Sequence, residues 1–312
     1  MIRRARALVA LVALAMCGAG CDRAEPRDDE RVVAVFGETG LGFGQFSYPR
    51  GLTVSPVDGC IFVVDKTARI QRFSPEGKYE SGWRMPEWEN GKPTGIKCDA
   101  SGRLWVADTH YHRVIVYDRE GVEQFRFGRR GEGKGEFIFP TCVAWDASGA
   151  IYVGEYGGND RISKFTGGSA PQYEMSFGTR DAGAASLERP TAIEVDAQGT
   201  LWVADGCHHR VCRFSAAGKF LGAIGTAGHG PGELDYAYDL ALERGEPLRM
   251  VVTDHGNNRV QELDAAGHAL RTWGTVGRAR GQVTQPWKAQ FDRAGRLLVL
   301  DSWNNRVQVL KW

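Results

Sequence analysis

The chain has 312 residues, 42% of them hydrophobic and 25% charged, with 39 Lys and Arg against 38 Asp and Glu. That balance excludes a strongly basic nucleic-acid binder, which needs a concentrated positive field to displace counterions, and the apolar content excludes a disordered chain. The 41 Gly against only 12 Pro point to many tight turns, and hence to many short strands.

The chain opens with MIRRARALVALVALAMCGAGC, which places Arg3, Arg4 and Arg6 ahead of an apolar run over 7–16 and small residues up to Cys21. This is the layout of a secretory signal, and the run is shorter than the roughly 20 residues that a membrane span needs. Gly18-Ala19-Gly20-Cys21 resembles a bacterial lipobox, with Gly18 where Leu is usual. The resemblance implies cleavage after residue 20, a lipid on Cys21, and residence at the bacterial cell envelope on its periplasmic or surface side. Leu14-Ala15-Met16-Cys17 is a competing match, in which Met16 is bulky for the position before the Cys. Residues 1–20 are thus expected to be a lipoprotein signal peptide, and 21–30 (CDRAEPRDDE) a solvated tether. Without the signal, 36 basic residues face 38 acidic ones.

Residues 31–312 carry six copies of one pattern, starting at Tyr48, Lys92, Phe139, Arg189, Tyr236 and Gln285. Their period of roughly 45 to 50 residues suits a four-stranded propeller blade. Each copy opens with a short apolar alternation, turns through a D-x-x-G type segment, and continues into a β-branched and aromatic run that ends in an acid. A third run opens with Arg, and a fourth ends in Gly, as in Phe125-Arg126-Phe127-Gly128. These are predicted strands a, b, c and d. The last copy stops at Trp312 after its strand c, and 31–37 (RVVAVFG) matches the other d strands. The expected fold is therefore all-β, a six-bladed β-propeller closed by an N-terminal strand that completes the last blade and leaves no open sheet edge.

Four motifs carry a family resemblance: P-x-x-[ILV] opening strand a, G-x-[LI]-[WYF]-V-x-[DE] in strand b, N-x-R-[IV] opening strand c, and F-G closing strand d. They resemble NHL repeats, over essentially all of 31–312. Asp65, Asp108, Glu155, Asp205, Asp254 and Asp301 end the b strands, while Arg69, Arg113, Arg161, Arg210, Arg259 and Arg306 open the c strands. A ligand site needs particular residues on particular blades, whereas a bond needed everywhere repeats everywhere. The sixfold acid and Arg are therefore read as scaffold, joined by charge-assisted hydrogen bonds.

Function is expected on the face that bears the d-to-a and b-to-c connections, because the loops 38–46, 129–138, 179–188, 226–235 and 275–284 are longer than the a-to-b turns. Residues following the start of each strand a should stand at the channel mouth: Arg50, Thr94, Thr141, Thr191, Tyr238 and Trp287, with Asp239 and Lys288 beside them. Blades five and six depart most from the pattern. Their Tyr236, Tyr238, Trp287 and Trp303 form an aromatic sector that suits contact with a protein, peptide or glycan, or else plugs the channel. His110, His112, His208, His209 and His255 fall in b-to-c loops, as metal ligands or as structural groups. Cys207 and Cys212 have C-x4-C spacing without a second zinc-like pair, which leaves a disulfide or plain thiols.

The peptidyl-hydroxyglycine lyases are similar in their repeats, but place His in P-H-D at several channel positions to hold zinc. None of the six mouth positions here is His. Lactonase-like propellers hold calcium with inward carboxylates, for which only Asp239 and Glu194 are candidates. The expectation is a non-catalytic scaffold without a cofactor, anchored to the membrane through its lipid, monomeric, and binding no nucleic acid. The alternative is a lyase or hydrolase with zinc or calcium in the channel.

Overall fold

A computed structural model describes residues 29–243 and 245–312, so the signal sequence, Cys17, Cys21 and most of the tether lie outside the described residues. It is a six-bladed β-propeller. The first blade is Pro49–Val54, Ile61–Asp65, Arg69–Phe73 and Tyr79–Arg84. The second is Gly95–Cys98, Leu104–Asp108, Arg113–Tyr117 and Glu123–Phe127, and the third is Pro140–Trp145, Ile151–Glu155, Arg161–Phe165 and Tyr173–Phe177. The fourth is Pro190–Val195, Leu201–Asp205, Arg210–Phe214 and Phe220–Ile224, and the fifth is Ala237–Leu242, Arg249–Asp254, Arg259–Asp264 and Ala269–Trp273. The sixth takes three strands from the end of the chain, Pro286–Phe291, Leu297–Asp301 and Arg306–Leu310, and its fourth from the beginning, Val32–Phe36. That strand runs antiparallel to the last one, with Val32 opposite Leu310 and Phe36 opposite Val307. The ring closes as the repeat pattern predicts.

Stacking explains the sequence pattern of each strand. Both faces of a blade press on a neighbouring blade, so five of the six b strands are buried along their whole length and the sixth is exposed only at Arg249. The d strands form the rim and are the most exposed of each blade, as in Glu123–Phe127 and Phe220–Ile224, where buried or half-buried residues alternate with exposed ones. Six apolar cores fill the six junctions, from Phe62, Ile70 and Val106 between the first two blades round to Leu52, Phe73 and Leu300 where the sixth meets the first.

Each junction is sealed by the loop that crosses it. Phe46, Phe137, Leu187, Leu234 and Val283 drop from five of the d-to-a loops into the cores beneath. The Gly that closes the preceding d strand makes room for them. Gly128 has φ +88°, and a Cβ there would stand 2.4 Å from the Phe137 ring. The loop from the first blade to the second is different, for it has no such Gly and Met85 itself is the buried plug.

The acid and Arg of every blade meet as an ion pair, at 2.6 to 2.8 Å in all six. The acids are fully buried. In five blades the carboxylate also accepts a backbone N–H from the d-to-a loop, donated by Ser47, Ile138, Glu188, Asp235 or Thr284. The Arg then reaches back to carbonyls of that loop, as Arg259 does to His229, Gly230 and Glu233. The second blade departs again, since Arg113 bonds Glu87 instead.

A second ring joins each blade to the next through the residue before the c-strand Arg. Asn305, His112, Asp160, His209 and Asn258 accept the backbone N–H of Tyr48, Phe139, Arg189, Tyr236 and Gln285. All five donors sit at positive φ, between 48° and 62°, strained backbone that the clasp holds in place. At the first blade the acceptor position is Ala68, which has no side-chain acceptor to offer. The junction between blades one and two therefore lacks the clasp, the closing Gly and the carboxylate-to-loop bond.

Candidate functional site: the channel mouth

The residues that follow the start of each strand a converge at the mouth of the central channel, and they divide into two groups. Thr94, Thr141 and Thr191 are buried and spend their hydroxyls inside the scaffold. Thr141 Oγ1 donates to the Pro190 carbonyl at 2.5 Å and Thr191 Oγ1 to that of Ala237 at 3.1 Å, each in the next blade. Thr94 Oγ1 lies 2.9 Å from Thr109 Oγ1.

The other half of the ring is aromatic and cationic. Trp287 packs on Tyr238 with ring centroids 4.4 Å apart, and the Arg50 guanidinium lies 4.8 Å from the Trp287 centroid on the other side. His255 wedges against both rings, at 5.3 and 6.2 Å, with Nδ1 3.1 Å from the Pro286 carbonyl. Burial keeps this imidazole below its ordinary pKa, so it stays neutral in the stack. Tyr236 continues the cluster 5.7 Å from Tyr238. The Arg189 guanidinium bridges outward, 4.6 Å from the Tyr156 ring and 5.6 Å from that of Tyr236. Trp303 stands further out, exposed and edge-on to Tyr48 at 5.2 Å.

Beneath the mouth the channel is closed by charge. Lys288 and Asp239, which the sequence places beside the mouth, pair with each other at 2.5 Å, and Asp239 also accepts the Ala289 N–H at 3.1 Å. Burial raises the Asp239 carboxyl, and the Lys288 ammonium opposes that rise. Lys97 of the second blade reaches Glu194 of the fourth at 2.6 Å. Between these two pairs is a chamber of about 20 Å³, lined by Gly95, Cys142 and Ala192 among others. That is room for one water.

Among the described residues no three His, Cys, Asp or Glu side chains gather as a metal cluster, and Cys207 and Cys212 are free thiols. The b-to-c histidines have scaffold partners: His112 and His209 serve the clasps, and His208 Nδ1 lies 2.9 Å from Asp205. The five long d-to-a loops on which function was expected are largely alike. In four of them a Gln or Glu side chain folds back on a loop N–H, as Glu136 does on Gly133 and Glu233 on Gly230.

Arg189, Tyr156 and His255 belong to the mouth and were not singled out from the sequence as mouth residues. Arg189 was the most legible, because it precedes Pro190 in the column where the other repeats have Tyr48, Lys92, Phe139, Tyr236 and Gln285.

A family model for the NHL repeat matches residues 187–214, which hold strands a, b and c of the fourth blade. The chain contains an NHL repeat. Over 139 residues the chain is 31% identical to protein brain tumor of Drosophila melanogaster, a match over 44% of this chain and 13% of that protein. A probable peptidyl-alpha-hydroxyglycine alpha-amidating lyase of Caenorhabditis elegans, pgal-1, is 28% identical over 129 residues, or 40% of this chain and 37% of its own. The chain thus spans well under two thirds of either relative. Among solved structures, an auxiliary nutrient binding protein from Bacteroides thetaiotaomicron superposes with a TM-score of 0.65 at 12% identity, covering 85% of this chain and 69% of that one. At that identity the likeness concerns the fold alone.

Proposed function

We propose that this propeller is a non-catalytic binding scaffold, held at the bacterial cell envelope by a lipid on Cys21, that receives a protein, peptide or glycan at its channel mouth. The observation that carries the reading is the stack of Arg50, Trp287 and Tyr238. It offers a guanidinium on an aromatic platform, the combination that anchors recognition surfaces, on a scaffold whose recurring acids and arginines pair with each other. Among the described residues no helix is long and apolar enough to cross a membrane. The test is a pull-down from envelope extracts, comparing wild type with a Tyr238→Ala, Trp287→Ala double variant of matched thermal stability. Wild type is expected to retain a partner that the variant loses; equal recovery from both refutes the assignment of the surface.

A second reading, a propeller lyase or hydrolase using a channel metal, is favoured by the stretch similar to pgal-1. Stoichiometric zinc or calcium in the purified protein would decide for it.

A further inference from the structure

Arg50 stands apart from the scaffold arginines. Its Nε is buried and has no hydrogen-bond partner, and the groups that act on its charge are the phenols of Tyr238 and Tyr156 and the like charge of Arg189. Burial pulls the guanidinium below its ordinary pKa, and Arg189 pushes the same way. Arg189 is likewise surrounded by phenols, of Tyr236, Tyr238 and Tyr156. A guanidinium in a protein keeps its proton, so the two charges remain and repel. The group that would relieve both is an anion.

Room for one lies beside Arg50. The irregular junction between blades one and two leaves a recess of about 490 Å³, lined by Tyr48, Lys66, Trp88 and Lys92 together with Arg50 itself. That volume is in the range of small-molecule sites. Three cations border it against one carboxylate, Glu89. Two flat walls, Tyr48 and Trp88, are each capped by a cation, Lys66 at 4.5 Å and Arg84 at 4.3 Å. The missing clasp and the missing closing Gly belong to the same seam as the recess, so the departure from the repeat and the unpaired charge fall in one place.

We propose that this recess binds a small carboxylic acid, its carboxylate paired with Arg50 at the mouth and its flat, apolar body lying between Tyr48 and Trp88. The assignment rests on the mouth being a binding surface and goes beyond that reading, to a small-molecule ligand in the recess beside it. A carboxylate matches the planar fork of Arg with two parallel hydrogen bonds, and the partly desolvated setting strengthens them. Lys66 and Lys92 at the rim draw the anion in and contribute less once it is bound.

Calorimetric titration of the full chain at fixed ionic strength tests this with three probes: N-acetyl-L-phenylalanine as its sodium salt, the neutral N-acetyl-L-phenylalaninamide, and sodium acetate. The acid is expected to bind at least tenfold more tightly than the amide, and acetate more weakly than the acid. Arg50→Gln is expected to abolish the difference between acid and amide while leaving the melting temperature unchanged, because its guanidinium holds no scaffold carboxylate. The exposed Lys219→Gln, on the fourth blade, serves as the charge control and leaves the difference intact. Equal binding of acid and amide, a difference that survives Arg50→Gln, or no binding of any probe overturns the proposal. If acid and amide bind alike and both are lost in the Tyr238→Ala, Trp287→Ala variant, the ligand class fails while the mouth stands as a binding surface.

Discussion

Asp254 and Asp108 occupy the same position in their blades, yet their removal should cost very different amounts. Asp254 accepts four bonds: from Arg259 Nε at 2.7 Å, Asn257 Nδ2 at 2.9 Å, Gln261 Nε2 at 3.1 Å and the Asp235 N–H at 2.7 Å. Asp254→Ala leaves the largely buried Arg259 guanidinium without its counter-charge, with only neutral loop carbonyls, and takes an acceptor from three further donors; breaking a buried pair from one side costs about 3–5 kcal/mol. Asp108 accepts from Arg113 Nε at 2.8 Å, and Arg113 keeps Glu87 at 2.5 Å when the aspartate is gone. One lost charge-assisted bond with a surviving partner costs roughly 1–2 kcal/mol. Urea unfolding followed by circular dichroism should therefore place the Asp254→Ala midpoint well below wild type and the Asp108→Ala midpoint between the two. Equal midpoints, or Asp108→Ala as the weaker protein, would refute the claim that the loop N–H and the amide donors, rather than the ion pair alone, give the position its strength.

Two other perturbations have defined outcomes. Removing 31–37 strips the outer strand from blade six and uncovers the edge of Arg306–Leu310 together with the core around Val32, so the truncated chain should be insoluble; a soluble product with one cooperative melting transition would contradict the closure. Burial raises the Asp108 carboxyl from 3.8 to about 6, so the fold favours its protonated form; the stability due to that preference is fully present below about pH 4 and is lost as pH rises to about 6, while the bond to Arg113 remains. Asp108→Asn should accordingly flatten the stability profile between pH 4 and 6, by up to about 3 kcal/mol, and an unchanged slope in urea midpoints across that window would count against it.

Blade count, strand order, ring closure and the acid–Arg pairs were legible because each recurs six times, and recurrence is what one sequence displays without an alignment. Converging positions were legible too: Arg50, Tyr238 and Trp287 do meet, since the residue after the start of strand a always faces the axis. What the sequence hid was which side chains are already spent. Thr141 and Thr191 stand in the same column as Arg50 but donate to the next blade, and nothing local distinguishes a hydroxyl that bolts blades together from one that faces solvent. Lys288 and Asp239 read as two open charges because their partnership crosses from blade six to blade five. Lys92, Met85 and Ala68 show why the first junction escaped notice: each is unremarkable alone, and only their coincidence at one seam, where acceptor, Gly and loop bond are all absent, marks the place where the recess lies beside Arg50.

The borrowed strand of blade six decides how the molecule responds to load. A pull on the N-terminus acts on Val32–Phe36, the outermost strand of the ring and the one that carries the closure. With the chain held at its C-terminus, the load pulls apart the paired ends Val32 and Leu310, so the hydrogen bonds of this antiparallel ladder would break one pair at a time rather than together in shear. The other five blades would feel no tension until that strand had peeled away. A propeller hung from this end is thus mechanically weakest at the seam that makes it a ring.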